Sequence, residues 1–398
     1  MTDSAWASRR PTAVRLILDE LRGEVFLTRA ELIERTGLSR SSVSGAVAEL
    51  LSSGLLAERT AGPDPGNRRP GRPVAGLSLT SAAGLVAAVD FGHSHLSVAV
   101  ADMSLRVLNE HTIDFDVAGR RDDALRAAEE EIRAALAPLP GPREPVAVGM
   151  GLPAPVLAAD QSVVTSSILP GWGGSRPAAE LGDRLGLPVV IDNDANLGAL
   201  AEARLGAGRG LQDLLYLKVS SGIGAALILA GRVHHGFHGL AGELGHIPVG
   251  AAGGAGRACR CGGHRCLESL ASSVAILEVL RPSFGTIGPA RLIELADADP
   301  IVRRALTDAG RAIGTVVGDL ANMLNPAAVV LGGLLADAAE PVLAGLRESL
   351  DRRTHPAVGD GMRLVAGELG ERGSSLGALI RATEIAVPVV RPTSQARA

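Results

Sequence analysis

The chain has 398 residues, 46% of them hydrophobic and 21% charged, which excludes wholesale disorder and gives two or three domains enough apolar material for real cores. Thirty-nine basic residues against 43 acidic ones leave a net charge of -4, excluding a protein that coats nucleic acid over its whole surface while leaving room for a local basic element. Three cysteines do not build a secreted disulfide scaffold, no basic and apolar leader opens the chain, and Asp319, Asn322, Asn325 and Pro326 interrupt the apolar stretch 312–336, so a cytoplasmic protein without a membrane span is expected.

Residues 1–80 carry 11 Arg against 9 Asp or Glu, while the other 318 residues carry 28 basic and 34 acidic side chains. The basic surplus therefore lies at the start. There, residues 12–21 place Val14, Ile17, Leu18 and Leu21 on one helical face. Thr28 with Glu31 forms a capping box for a second helix ending at Gly37, and Ser39 caps a third that runs to about Ser52. Helix, glycine turn, helix is the helix-turn-helix pattern. The third helix buries Val43, Val47, Leu50 and Leu51 and leaves Ser39, Arg40, Ser41, Ser42 and Ser44 at its start, where small polar groups and an arginine suit phosphates and base edges in a major groove. Strands at 55–59 and 74–79 flank AGPDPGNRRPGRP, a loop too rich in Gly and Pro for an interior helix or central strand. Its Arg68, Arg69 and Arg72, the last within Gly71-Arg72-Pro73, suit a wing reaching a minor groove. Residues 1–80 thus read as an all-α winged helix-turn-helix DNA-binding domain; a three-helix interaction module with a solvated charged loop is the plainer alternative.

From Ala82 the pattern turns to α/β. A strand at 85–89, the turn Asp90-Phe91-Gly92-His93-Ser94 and a strand at 96–101 are echoed by a strand at 214–219, the turn Ser220-Ser221-Gly222-Ile223-Gly224 and a strand at 225–229. Two such units suggest a duplicated domain whose hairpin tips face one cleft. Between them a helix at 122–136 and strands at 146–149 and 189–192 are expected; beyond them, helices at 267–280, 290–296, 301–324 and 340–350 and a strand at 328–331 ending in Gly332-Gly333.

Two constellations carry chemistry. Cys259, Cys261 and Cys266 fall within eight residues, with His246 thirteen before the first, and three thiolates plus an imidazole make a closed tetrahedral zinc site. His234, His235, His238 and His264 compete for the fourth place, and reduced thiols without metal are the plainer alternative. Zinc at His246 would stiffen the segments carrying Glu243 and Glu268 and aim both at a ligand. In the second, Asp192-Asn193-Asp194-Ala195-Asn196 stands where a strand gives way to a helix, the place where ligands gather in open α/β sheets. Asp194 there can take a proton from a substrate hydroxyl and Asn193 can bond another; an Asx-rich helix cap is the plainer reading.

DFGHSH, IDNDAN, GRVHHGFHGLAGELGH, the Cys-x-Cys-x4-Cys-Leu-Glu element and NPAAVVLGG, in this order over about residues 82–385, resemble the ROK family of repressors, open reading frames and sugar kinases. The resemblance implies an α/β actin-like (ribonuclease H-like), two-lobed sugar kinase-type domain: a small lobe at 81–195 completed by a helix at 370–386, a large lobe at 196–369 with the zinc loop, and a flexible tail at 387–398. It further implies Zn2+ on His246, Cys259, Cys261 and Cys266, and a sugar on Asn193, Asp194, Glu243, His246 and Glu268. In kinase members the residue matching Asp194 is the catalytic base, and turns matching Asp90, Gly92, Gly222, Gly224, Gly332 and Gly333 hold Mg-ATP. The chain departs from the kinase pattern at His93, Ser220 and Ser221, where side chains replace glycine or threonine and crowd phosphate, and also at Ala154 and at Gly263-His264-Arg265. The expected function is a sugar-responsive transcriptional repressor, a homodimer or dimer of dimers on operator DNA with a sugar or sugar-phosphate effector. An ATP-dependent hexose or N-acetylhexosamine kinase with an appended DNA-binding domain is the alternative, and a phosphotransferase protein as the sensor's partner a third reading. Trp172 is the aromatic expected near the sugar.

Overall fold

The computed structural model describes residues 10–21, 24, 26–60, 75–139, 144–164, 167–250 and 257–386. The loop bearing Arg68, Arg69 and Arg72, and the tail at 387–398, lie outside them.

Helices α1 (Arg10–Leu21), α2 (Arg29–Thr36) and α3 (Arg40–Ser52) open the described chain. The capping box forms: Thr28 Oγ1 accepts from Glu31 N at 3.2 Å, and the Glu31 carboxylate accepts from Thr28 N at 2.7 Å. Gly37 closes α2 at φ 66°, a left-handed conformation that suits glycine, and the chain re-enters a helix behind the Ser39 cap. Val43, Ala46, Val47 and Leu50 of α3 are buried in one cluster with Ile17, Leu21 and Leu32. Strands β1 (Leu56–Thr60) and β2 (Ala75–Leu79) pair antiparallel, Leu56 opposite Leu79, and Leu27 adds a bridge to Leu77. This is a winged helix-turn-helix.

Two five-stranded sheets follow, built from β3 (Leu85–Phe91), β4 (His95–Asp102), β5 (Val107–Asp114), β6 (Ala147–Leu152) and β7 (Val189–Asn193), then β8 (Leu214–Val219), β9 (Ile223–Leu229), β10 (Arg232–Val233), β11 (Ala328–Gly332) and β12 (Arg363–Ala366). Their orders, β5-β4-β3-β6-β7 and β10-β9-β8-β11-β12, are the same, and in each the central strand pairs antiparallel with the next in sequence and parallel with the fourth. The central strand β3 is buried throughout, as its near-continuous apolar run requires.

Helices α4 (Arg121–Leu136), α5 (Pro177–Leu185), α6 (Asp194–Leu205), α7 (Glu268–Ala271), α8 (Ser273–Phe284), α9 (Pro289–Leu295), α10 (Pro300–Leu324), α11 (Ala339–Arg353), α12 (Pro356–Gly359) and α13 (Gly373–Ile385) complete the domain. The long pair α10 and α11 packs together in the core of the second sheet. Helix α13 packs on α6, β3 and β6, while α6 also touches β8 and β9, so α6 contacts strands of both sheets. Among the described residues no single helix is long and apolar enough to cross a membrane.

Several local expectations change. Asp90 and Phe91 belong to β3, paired with Ser97 and Leu96, so the first turn shrinks to Gly92-His93-Ser94. The helix expected at 267–280 breaks at Ser272, which is extended (φ -69°, ψ 160°) and caps α8 by accepting from Ala275 N at 3.3 Å.

Candidate functional site

A cleft of about 700 Å³, within the range of small-molecule sites, takes Asp90, Gly92 and His93 from the first hairpin and Lys218, Gly222 and Gly224 from the second. Asn193 and Asp194 join it from the β7–α6 junction, and Glu243, His246 and Glu268 from the segments around the cysteines. Every residue expected to hold a sugar therefore lines one space. Gly332 and Gly333 do not line it: Gly332 lies against the Tyr216 ring, and the contact to the cleft passes from Leu334 N to Ser220 Oγ at 3.0 Å.

The strand-to-helix junction is held locally. Asn193 caps α6 by accepting from Ala195 N at 2.9 Å and donates its Nδ2 to Ala154 O at 3.2 Å. The nearly buried Asp192 carboxylate accepts from Asn193 N, from Asn196 Nδ2 and from His235 Nε2, each at 2.8 Å. That pairing raises the His235 pKa above its ordinary value, against the opposing effect of burial. Asp194 opens α6 and its Oδ2 accepts from Lys218 Nζ at 2.7 Å. Burial alone would lower the Lys218 pKa, but the Asp194 and Asp90 carboxylates outweigh it and raise it. Burial raises the Asp90 pKa while Lys218 and the hydrogen bond from Ser374 Oγ, at 2.6 Å, oppose it. Burial, with Asp194 and Glu268 nearby, pushes the Glu243 carboxyl up to about 7.

At the cleft mouth Arg260 Nη1 donates to His93 Nε2 at 3.2 Å, and its Nε lies 3.4 Å from Glu268 Oε1. Burial, then the Arg260 charge, lowers the His93 pKa, so the neutral imidazole is the acceptor. Glu268 also accepts from Ile223 N at 3.2 Å, which ties the second hairpin to α7. A Cβ at Gly92 would meet the His95 ring at 2.1 Å, so the imidazole would have to turn away.

The donor atoms of His246, Cys259, Cys261 and Cys266 lie within 4.8 Å of one another, a group able to hold a metal ion. His246 Nδ1 faces Cys259 Sγ at 3.6 Å and Cys261 Sγ faces Cys266 Sγ at 3.7 Å. The other imidazole nitrogen, Nε2, lies 3.7 Å from Glu243 Oε2, within ion-pair range and longer than a hydrogen bond. His235, one of the competing histidines, is committed to Asp192 instead.

Trp172 is corrected. It is fully buried in the first lobe's core, edge-on to Phe91 at 5.3 Å, with Nε1 donating to Val117 O at 2.9 Å, and it does not line the cleft. An indole in a loop reads as a ligand platform, but here its area fills the core and its one donor finds a carbonyl. On α3, Ser39, Arg40, Ser41 and Ser44 are exposed and Ser42 is half-buried.

Reasoning from sequence passed over the roles of Lys218, Arg260, His235 and Glu24. Lys218 had one available signal, being the single lysine of the chain.

A winged helix-turn-helix ahead of a duplicated α/β domain with a polyhydroxyl-sized, acid-lined cleft defines a regulator built on a sugar-kinase scaffold. The model of the ROK family matches residues 86–385 and that of the MarR family residues 13–70, and the chain belongs to the ROK family. It is 26% identical over 380 residues to a xylose repressor of Caldicellulosiruptor bescii, covering 92% of this chain and 93% of the relative. Among solved structures, a ROK family transcriptional regulator described as a homolog of the E. coli MLC protein superposes with a TM-score of 0.72 at 23% identity, covering 94% of this chain and 96% of that one. A ROK family glucokinase from Streptomyces griseus in complex with glucose and AMPPNP gives 0.65 at 26% identity, over 75% of this chain and 99% of its own.

Proposed function

We infer that this chain is a sugar-responsive transcriptional repressor, with the winged helix on operator DNA and a sugar or sugar-phosphate effector in the cleft. One observation carries the reading. Helix α6 begins in the cleft at Asp194, and its last turn presents Arg204 to the Glu24 carboxylate of the winged helix. The same carboxylate accepts from Arg35, in the last turn of α2, at 2.7 Å. Twelve residues at the helical rise span about 17 Å, so a shift at the sugar reaches the helix pair that presents α3. A ligand that favours one cleft geometry then biases DNA affinity by its differential binding.

In this reading Asn193, Asp194, Glu243, His246 and Glu268 bond the sugar hydroxyls. His246, Cys259, Cys261 and Cys266 hold a structural Zn2+, which supplies rigidity to the segment carrying Glu268. Ser39, Arg40, Ser41, Ser42 and Ser44 meet the major groove and Arg68, Arg69 and Arg72 a minor groove, two copies of the chain spanning a near-palindromic site in the cytoplasm. The support is the repressor relative, the full-length regulator fold and the exposed polar start of α3.

The test is binding to the DNA upstream of its own gene. Affinity falls steeply with salt, and D-xylose or D-glucose releases the DNA. Glu24→Ala keeps DNA binding within about threefold but cuts the sugar-induced change about five- to tenfold, the range of ordinary coupling energies. Absence of salt-sensitive binding overturns the reading; undiminished release by Glu24→Ala overturns the α6 route.

A further inference from the structure

Lys218 stands in an unusual place. It is the next-to-last residue of β8, on the second sheet, two residues before the Ser220-Ser221-Gly222 turn, and its ammonium reaches Asp194 at the start of α6, directly after the first sheet's edge strand. The side chain is 20% exposed and its partner 14%. A buried ammonium is costly unless paired, and Lys218 has both Asp194 and Asp90 acting on it. Lys218 engages one lone pair of Asp194 Oδ2, and a carboxylate has further acceptor capacity for a ligand hydroxyl. Arg260 and His93 lie against each other at the mouth, so Lys218, Arg260 and His93 line the part of the cleft between the two hairpin turns.

We propose that Lys218 is a positioning residue that makes this cleft a binding site for a neutral sugar without phosphoryl transfer: it links the two lobes and, ion-paired with Asp194, holds that carboxylate as acceptor for one sugar hydroxyl. The proposal rests on the sugar-binding reading above. Asp194 in this arrangement binds a hydroxyl and does not activate it.

The single lysine makes the test direct. The full chain grown with [15N]lysine gives one side-chain ammonium signal. D-xylose or D-glucose is expected to move it while Mg-AMPPNP leaves it in place, and calorimetry on the same samples gives the affinities. Lys218→Met is expected to weaken sugar binding about ten- to a hundredfold, as losing a charged hydrogen bond does. Lys218→Arg, which keeps the charge and the donor, stays within about fivefold, and circular dichroism establishes that both variants are folded. If Lys218→Met does not fold, the signal of the unmutated chain decides alone. A sugar that binds without moving the signal, unchanged affinity in a folded Lys218→Met, or a signal moved by Mg-AMPPNP together with phosphorylation of the sugar by Mg-ATP overturns the proposal and leaves the sugar site standing. No binding of either sugar by the unmutated chain overturns the sugar reading and the proposal together.

Discussion

The two halves of the sensor repeat one topology and use it differently. In the first, the tip between β3 and β4 is a tight turn packed for shape: the His95 ring covers Gly92, and Asp90 is buried against Ser374. In the second, the tip between β8 and β9 is wired into chemistry: Lys218 reaches across to Asp194, Ile223 N is held by Glu268, and Glu268 stands two residues beyond Cys266. Duplication supplies a symmetric frame, and the side chains at the two tips make different contacts within it.

The largest way to break the contrast is to remove what only the second half carries. Cys266→Ala, or prolonged treatment of the full chain with a strong chelator, should cost several kcal/mol of stability, since structural zinc binding is itself folding energy. Metal analysis of the native protein should find about one zinc per chain, and thermal unfolding should show the loss along with weaker sugar binding through Glu268. A folded protein without metal and with the same melting temperature as its chelated form would remove the zinc from the account.

A smaller effect sharpens the comparison within the hairpins. Gly92→Ala sets a Cβ 2.1 Å from the His95 ring, whereas Gly224→Ala meets the Ala195 Cβ at 2.9 Å. The imidazole must swing out in the first case, a cost of about 1–2 kcal/mol by the usual penalty for overpacking. In the second, the Ala195 Cβ is fixed to the α6 backbone and cannot turn away, so the start of α6 itself must shift. Denaturant titration of the two variants should rank Gly224→Ala as the more destabilised; the reverse order would mean that the His95 ring has nowhere to turn.

What could be read in advance follows the same division. The winged helix and the duplicated units were legible because capping boxes, apolar periodicity and glycine turns are local signals, whereas the set Asn193, Asp194, Glu243, His246 and Glu268, which does line one cleft, came from the family resemblance. Strand β5 was not legible, because VLNEHTID is a polar edge whose burial depends on its neighbour β4. The break at Ser272 was hidden inside a continuous apolar run, and Trp172 was misplaced because a loop indole gives no hint of which side it faces. The pairs Lys218–Asp194, Arg260–His93, His235–Asp192 and Arg204–Glu24 join residues 24 to 180 positions apart, so no spacing rule could join them.

The last of these contrasts is between two ties linking the second half to the β7 end of the first. Lys218 is an ammonium held by two carboxylates, whereas His235, just beyond β10, is an imidazole paired with Asp192 alone. Its pKa is raised by the bond to Asp192 and by that carboxylate's charge, while burial and Arg381 oppose it. A raised folded pKa means the imidazolium stabilises the fold. That stabilisation is fully present below the unfolded value of about 6.5 and is lost as pH rises through the higher folded value. With the side chain 35% exposed, solvent screening limits the effect to less than about 1 kcal/mol. The melting temperature should therefore fall by about 1–3 °C more between pH 6 and pH 8 in the native chain than in His235→Gln, in line with the usual relation of stability to melting point. Identical pH slopes would show that this tie works as a neutral hydrogen bond, leaving Lys218 as the charged link between the halves.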